Sequence, residues 1–303
     1  VSHSGGGVLN GAGTLTVNGP YNWTDGSMDG GGATLLNSGM TMSGTGFKSI
    51  GNRSLTNANN GTINWTGGAL GMSGATSIIN NLAGSTFDIQ TPAGSSQSNS
   101  SVFNNGGTLR KSAGSGTVGG FSLNNTGTVQ VDAGTLTFGG TFTQTAGSTV
   151  LAGGSISKSG SAMMINGGTI GLGPNTASGT ITGSVTLGNA AASTVPRPGA
   201  PGTLTVTGAY TQTAGKLAIE LGGVSPGTGH DQLVVSGTAT LRGTLELTLI
   251  NGFTPTVGQQ FTILTAGART GTFASVVLNN FPGNLGASVS YTATTVVVTI
   301  TSM

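Results

Sequence analysis

Acidic and imidazole side chains carry most acid–base and metal chemistry in proteins, and this chain has few of them. Seven of its 303 residues are acidic and two are histidines. Asp25 and Asp29 are the one close acidic pair, in the glycine-rich segment 25–32, where two carboxylates could offer oxygen ligands to a cation. The segment lacks the regular acidic spacing of calcium-binding repeats, so we interpret it as a turn and predict no metal site.

The dipeptide His230–Asp231 has the composition of a general base, because a carboxylate can orient and charge an imidazole. No serine or cysteine nucleophile accompanies it in a recognisable motif, so we interpret the pair as a structural corner. His3 is the only other imidazole, which is too few for a histidine-based zinc site. Glycoside hydrolysis needs two carboxylates at one bond, and the acidic residues are scattered. The sequence therefore predicts no catalytic residues, no cofactor and no enzyme.

Aromatic side chains offer a second kind of chemistry, because their rings can stack on sugars. Tyr21, Trp23, Trp65 and Tyr210 have this capacity. At recurrent positions of a repeat, however, aromatic rings also fill the interior. Both interpretations stay open at this point.

A short phrase of an apolar residue, asparagine and a following Gly-Thr pair recurs along the chain. Its copies begin 27, 22, 21, 24 and 20 residues apart, and their first asparagines are Asn10, Asn37, Asn59, Asn80, Asn104 and Asn124. A period in the twenties is typical of a solenoid, in which each repeat buries its apolar face by stacking on its neighbours. We therefore expect these asparagines to form a structural ladder at one corner, where side chains bond one another and the turn backbone.

Short segments with alternating apolar and polar residues predict β-strands, as at 129–131 and 136–138. No segment shows a sustained helical period, and 58 glycines supply the positive φ that repeated corners need. The predicted fold is all-β, a parallel β-helix (β-solenoid) with rungs of about 20–24 residues. Thr-Leu-Thr triplets occur at 14–16, 135–137 and 203–205, and similar triplets build the flat faces of ice-binding proteins. Three separated copies predict no continuous threonine array, and hence no such face.

Three prolines in the segment 193–202 remove ladder donors and indicate a boundary near 190–201. It divides asparagine- and glycine-rich repeats over 1–190 from a continuation over 191–303, in which we expect longer strands and wider rungs.

A run of glycine, threonine and apolar residues follows the prolines, at 201–206, 210–212, 219–223 and 230–239. This run resembles the end of autotransporter-type passenger domains and related bacterial surface β-solenoid repeat proteins. The resemblance is close over about 200–303 and is one of repeat style over 1–190. It implies a right-handed parallel β-helix, with a terminal region that often acts as a folding nucleus during secretion.

Charge and composition bear on location and partners. The nine basic residues are scattered, with Arg110 and Lys111 the only adjacent pair, so nothing resembles a nucleic-acid patch. No apolar run approaches the roughly 18–20 residues that cross a bilayer. The absence of cysteine in a threonine- and asparagine-rich chain is common among exported bacterial surface proteins. We predict an extracellular, cell-surface protein that does not bind nucleic acid and does not span a membrane.

We expect neither end of the solenoid to be capped, and uncapped ends favour assembly because open strand edges recruit other chains. No charge follows Arg269, and the predicted polymerisation edge consists of Val296, Val297, Val298, Thr299, Ile300 and Thr301. We expect a structural β-solenoid that stacks head to tail with copies of itself into a bacterial surface fibre or biofilm-matrix filament. The alternative is a monomeric adhesin stalk or carbohydrate-binding passenger domain whose partners are surface glycans.

Overall fold

The computed structural model describes residues 1–74, 76–92, 94–97, 101–120 and 122–303. Within these ranges every regular element is a β-strand, and no helix is present. The earlier strands are β1 (Ser2–His3), β2 (Val8–Leu9), β3 (Thr14–Val17), β4 (Asn22–Trp23), β5 (Gly26–Met28), β6 (Ala33–Leu36), β7 (Met40–Met42), β8 (Lys48–Gly51), β9 (Ser54–Asn57), β10 (Thr62–Trp65), β11 (Leu70–Ser73), β12 (Ile78–Asn81), β13 (Thr86–Ile89), β14 (Ser95–Gln97), β15 (Val102–Asn105), β16 (Thr108–Lys111), β17 (Thr117–Gly119), β18 (Ser122–Asn125) and β19 (Thr128–Val131).

The later strands are β20 (Thr135–Phe138), β21 (Phe142–Gln144), β22 (Ser148–Leu151), β23 (Ser155–Lys158), β24 (Met163–Ile165), β25 (Gly168–Leu172), β26 (Ser178–Thr182), β27 (Val185–Leu187), β28 (Ala192–Val195), β29 (Thr203–Val206), β30 (Tyr210–Gln212), β31 (Lys216–Leu221), β32 (Gln232–Leu241), β33 (Thr244–Leu249), β34 (Gln260–Gly271), β35 (Ser275–Asn279), β36 (Leu285–Tyr291) and β37 (Thr295–Ser302).

The chain forms two compact units. The first comprises Val1–Ser148 and Gly154–Ser161, and the second comprises Thr149–Gly153 and Ala162–Met303. The proline-rich boundary predicted near 190–201 lies inside the second unit.

Each coil of the first unit contributes short strands to parallel sheets on successive faces. One face is ordered β1-β4-β7-β10-β13-β16-β19, another β2-β5-β8-β11-β14, and a third β3-β6-β9-β12-β15-β18-β21. Side-chain hydrogen bonds between equivalent positions of adjacent coils join residues 19 to 24 apart. The predicted parallel β-solenoid is confirmed, and in this unit so is its rung length.

The coils of the second unit widen towards its later strands. One face is ordered β25-β28-β31-β33-β35, and pairs that join adjacent coils there reach 30 and 31 residues of separation. β32 and β34 have ten and twelve residues, and each spans two faces, with a register shift between Val235 and Thr238. Longer strands follow the prolines, as the sequence predicts.

β37 lies between two antiparallel partners, β34 on one side and β36 on the other. Val296, Val298 and Ile300 are at most 1% exposed. The prediction that residues 296–301 form an open edge is therefore wrong. Its uncharged valine–threonine alternation reflects a strand with both edges paired and one face against the core.

Apolar side chains stack in register inside the coils. On the third face of the first unit, Ile79, Phe103, Leu123 and Phe142 are successive partners, and all are at most 1% exposed. The aromatic residues considered for sugar stacking are also interior: Tyr21, Trp23, Trp65 and Tyr210 are buried. Their rings therefore contribute to the core, where burial of apolar area is the main stabilising term.

Candidate functional site

Three of the predicted ladder asparagines stack on the outer side of the first unit. Asn80, Asn104 and Asn124 are register partners on β12, β15 and β18. Nδ2 of Asn124 donates to Oδ1 of Asn104 over 3.0 Å, and Nδ2 of Asn104 donates to Oδ1 of Asn80 over 2.9 Å. These residues, the outer asparagine ladder, lie within strands rather than at a corner.

The three earlier asparagines are placed differently. Asn59 donates to Asn37 over 2.9 Å, and Asn37 donates to Asn18 over 2.6 Å, so they form a separate exposed ladder beyond the strand ends. Oδ1 of Asn10 accepts from the adjacent Gly11 N–H, and within the described residues Asn10 bonds no other asparagine. The repeat phrase therefore shifts its phase relative to the coil along the chain, and it does not mark one corner.

A second amide ladder lies inside the coils, one residue further along than the outer ladder. Each Nδ2 donates to the next side-chain oxygen over 2.8–3.1 Å. The members of this inner amide ladder are Asn57, Asn81, Asn105, Asn125 and Gln144, and all are at most 1% exposed. They also donate to turn carbonyls, as Asn105 does to Gly107 over 3.2 Å. For Asn81, Asn105 and Asn125 the sequence signal was the second asparagine of an Asn-Asn pair, whereas Asn57 and Gln144 belong to no such pair.

Several cations are buried and bind turn backbone. Lys48, Lys111, Lys158 and Arg53 are at most 4% exposed. Nζ of Lys111 lies 2.8 Å from the Ala113 carbonyl and 2.9 Å from that of Gly114. Burial lowers the pKa of all three lysines, and a carboxylate partly offsets it for Lys48 and Lys111. These side chains satisfy carbonyls at coil corners and are withdrawn from any surface that would bind anions.

Arg53 links consecutive coils through its guanidinium. Its Nη1 donates to the carbonyls of Gly11 and Asp29 at 3.0 and 3.1 Å, and its Nη2 donates to that of Ala33 at 2.7 Å. Nε donates to Oγ1 of Thr34 over 3.0 Å. One planar fork thus binds carbonyl and hydroxyl groups of turns and of β6 from more than one coil, which is the geometry that guanidinium provides.

The acidic pair at 25–29 binds local donors. Oδ1 and Oδ2 of Asp25 accept from the N–H groups of Gly26 and Gly6, and Oδ2 of Asp29 accepts from the Ser27 hydroxyl at 2.6 Å. Within the described part of the chain, no three metal-ligating acidic, histidine or cysteine side chains come together. The interpretation of the whole segment as a turn is wrong, because Gly26–Met28 form β5, which pairs with β2 and β8, and the two aspartates flank that strand.

His230 and Asp231 are fully buried in the second unit. Asp231 accepts from the N–H groups of Gly202 and Glu220 at 2.8 and 2.9 Å, which joins the proline-rich segment to β31. Burial raises the pKa of Asp231 to about 8, while the two backbone donors act in the opposite direction. Burial lowers the pKa of His230, whose ring nitrogens lie 3.3 Å from the Gly223 and Thr262 carbonyls. The pair is enclosed, and its polar side-chain atoms contact backbone groups of the second unit.

Threonines form continuous outer rows in both units, contrary to what the isolated triplets predict. The first threonine row, in the first unit, consists of Thr62, Thr86, Thr108 and Thr128. The second threonine row, in the second unit, consists of Thr186, Thr211, Thr240 and Thr270. Neighbouring strands are about 4.8 Å apart, so each row is a regular line of hydroxyls. Coil register aligns threonines that lie outside the triplets.

The described residues contain no helix that is long and apolar enough to span a membrane. No family model matches this chain, and no curated protein matches it at a significant level of sequence similarity.

Proposed function

We propose that this chain is a non-enzymatic β-solenoid of the bacterial cell exterior, an adhesin stalk or carbohydrate-binding passenger that holds uncharged rows against surface glycans. The supporting observation is the alignment of outward hydroxyls and amides. The outer asparagine ladder and the first threonine row lie on two faces of the first unit, and the second threonine row repeats the arrangement in the second.

Such rows suit a repetitive, polyhydroxylated ligand. Hydroxyl and amide groups both donate and accept, and each net hydrogen bond contributes about 0.5–1.5 kcal/mol, so one contact alone is weak. Equivalent groups recur at about 4.8 Å, which allows many weak contacts along one polymer to act together. Affinity would then depend on the continuity of a row rather than on one residue.

The positions of the ionisable groups also support a non-enzymatic role. His230 and Asp231 are enclosed, while Arg110 pairs with Asp132 and Lys216 with Glu246. An acid or base must reach the proton that it transfers, and these groups bind partners within the protein. A cell-exterior location accords with a chain that contains no cysteine.

The test is binding of the purified chain to immobilised amylose, cellulose and chitin. Asn104→Lys and Thr211→Lys place a charge in the outer asparagine ladder and the second threonine row. Each is expected to weaken retention about tenfold or more without changing Tm, because several aligned contacts are lost together. Thr145→Lys, at an exposed turn outside both, is the matched control. The proposal would be overturned if the chain bound none of the three polymers, or if both row variants bound them as the wild type does.

End-to-end stacking into a filament is a second candidate, and one observation favours it. β35 pairs with β33 and with no other described strand. Val276 is the register partner of fully buried Leu245, yet it is 39% exposed, and Val277 is 42% exposed. An interior row without a covering coil, on an uncharged edge, is the type of surface that recruits another strand.

A further inference from the structure

A groove of about 560 Å³ lies in the second unit, beside the turns that follow β33 and β35. Its lining includes Ile250, Asn251, Phe253, Thr254, Asn280 and Pro282, and none of its lining residues is charged. This volume falls within the roughly 300–1,000 Å³ of small-molecule sites. A neutral ligand of about two or three sugar rings would match its size and charge.

The turn at one wall of the groove has a fixed backbone. The N–H of Phe253 donates to the Ile250 carbonyl over 3.0 Å, and φ is 54° at Asn251 and 68° at Gly252. Two consecutive positive φ values define a type I′ turn, for which Asn-Gly is the preferred sequence. The Asn251 amide is therefore presented from a defined backbone conformation.

Polar groups at the groove retain hydrogen-bonding capacity. The exposed Asn251 side chain bonds no other described residue. Asn280 donates through Nδ2 to the Leu249 carbonyl over 3.1 Å, which leaves its Oδ1 as an acceptor. Thr254 donates its hydroxyl to the Gly252 carbonyl over 3.4 Å and keeps its acceptor lone pairs. A purely apolar ligand would leave these groups unpaired, which disfavours it.

Phe253 supplies the apolar surface. Its half-buried ring packs edge-to-face with Phe261, with centroids 6.1 Å apart and planes at 87°. This contact holds the ring at the groove, because an edge-to-face pair restricts both rings. An aromatic ring with nearby amides and a hydroxyl matches a sugar, which has an apolar face and a polar rim.

We propose that this groove binds a neutral saccharide, with Phe253 against a sugar ring and Asn251, Thr254 and Asn280 at its hydroxyls. The proposal rests on the proposed function, since it takes surface glycans as partners, and it adds a defined site. The threonine rows would contact a polymer along its length, whereas the groove would hold a short segment or a chain end.

The probes are cellotriose, maltotriose and triacetylchitotriose, titrated into the full chain by calorimetry and by amide chemical-shift mapping. At least one is expected to shift the amides of residues 250–254 and 280 with a Kd below about 10 mM. Phe253→Ala is expected to weaken binding about tenfold. Asn251→Gly keeps the positive φ and removes only the amide, and it should also weaken binding. Phe47→Ala, which removes a 52% exposed ring in the first unit, is the control and should not.

Three results would overturn the groove: no trisaccharide shifts these amides, the shifts occur elsewhere, or both groove variants bind as the wild type does. Polymer retention that is lost in the row variants, together with trisaccharide binding that is unchanged in Phe253→Ala and Asn251→Gly, would reject the groove while leaving the proposed function standing. Trisaccharide binding at the groove, combined with row variants that retain polymers as the wild type does, would confirm the groove as a saccharide site and reject the rows as binding surfaces.

Discussion

The side-chain N–H of Asn124 donates to Oδ1 of Asn104 across 3.0 Å, and the two residues are direct partners on adjacent strands one coil apart. Their sequence neighbours Asn125 and Asn105 make the same contact at 2.8 Å, with the donor and acceptor order reversed along the chain. The first contact faces solvent and the second is buried. The two ladders have the same chemistry and lie one residue apart, but water can replace a lost hydrogen bond only in the outer one.

Replacing the inner asparagine should cost far more stability than replacing the outer one. Asn105→Leu removes the acceptor of Asn81 and the donor to Asn125, and the buried groups left behind cost about 1–3 kcal/mol. Asn104→Leu is expected to change stability by about 0.5 kcal/mol or less, because water reaches its partners. Urea unfolding of both variants measures the difference. Equal losses would mean that burial does not distinguish the ladders.

The lysine inside a coil corner should also be structural. Lys111→Met keeps the apolar stem but leaves the Ala113 and Gly114 carbonyls without their donor, at a cost of about 1–3 kcal/mol. Lys216→Met removes a partly exposed ion pair with Glu246 and is expected to cost about 1 kcal/mol or less. Thermal unfolding of the two variants provides the comparison. A Lys111→Met protein as stable as the wild type would show that the carbonyls find other partners.

The coil and its parallel pairing could be predicted from the sequence, because the period and the strand alternation both depend on local patterns. Which asparagine of each pair faces solvent could not be predicted. Neighbouring strand residues face opposite sides, so a one-residue ambiguity at 104–105 decides between solvent and interior. The buried Lys111 had a local signal, since it lies two residues after inward-facing Leu109.

The pairing of residues 296–301 had no local signal. A strand with uncharged alternating residues has the same sequence whether its edges are open or paired. Its partners β34 and β36 are separate segments, and antiparallel pairing at this place breaks the parallel pattern of the preceding coils. The groove at Asn251 was equally hidden, because the Asn-Gly turn is visible in the sequence but its approach to Asn280 depends on coil width.

Stability should depend on pH through Asp231. Its pKa is about 8 in the folded chain against an ordinary 3.8, so the folded state keeps a proton that the unfolded state releases. The stabilisation is complete below about pH 4 and is lost as the pH rises through about 8, with a limiting slope near 1.4 kcal/mol per pH unit. Asp231→Asn should flatten this decline in denaturant titrations at several pH values. An identical slope in the variant would assign the titration elsewhere.

Chelation should leave the segment 25–29, in which the two aspartates flank β5, unchanged. Asp25 and Asp29 already accept hydrogen bonds from Gly6, Gly26 and Ser27, so no cation is required to neutralise an unpartnered pair. We expect the same Tm with and without EDTA, by differential scanning fluorimetry. A lower Tm with EDTA that calcium restores would identify a cation site beside β5.

The open edge of β35 determines whether the chain also assembles. Val276 continues the interior row above Leu245 but remains 39% exposed, so a strand added at this edge would cover it and pair its free backbone groups. If copies stack here, Val277→Lys should abolish filaments in negative-stain images, because charge on an edge opposes further pairing. Val224→Lys is the matched control, since Val224 is 53% exposed but lies outside any strand. The Val277 variant should retain the wild-type Tm, as its side chain is already 42% exposed. A wild-type chain that stays monomeric at high concentration, or a Val277 variant that still polymerises, would reject stacking at this edge.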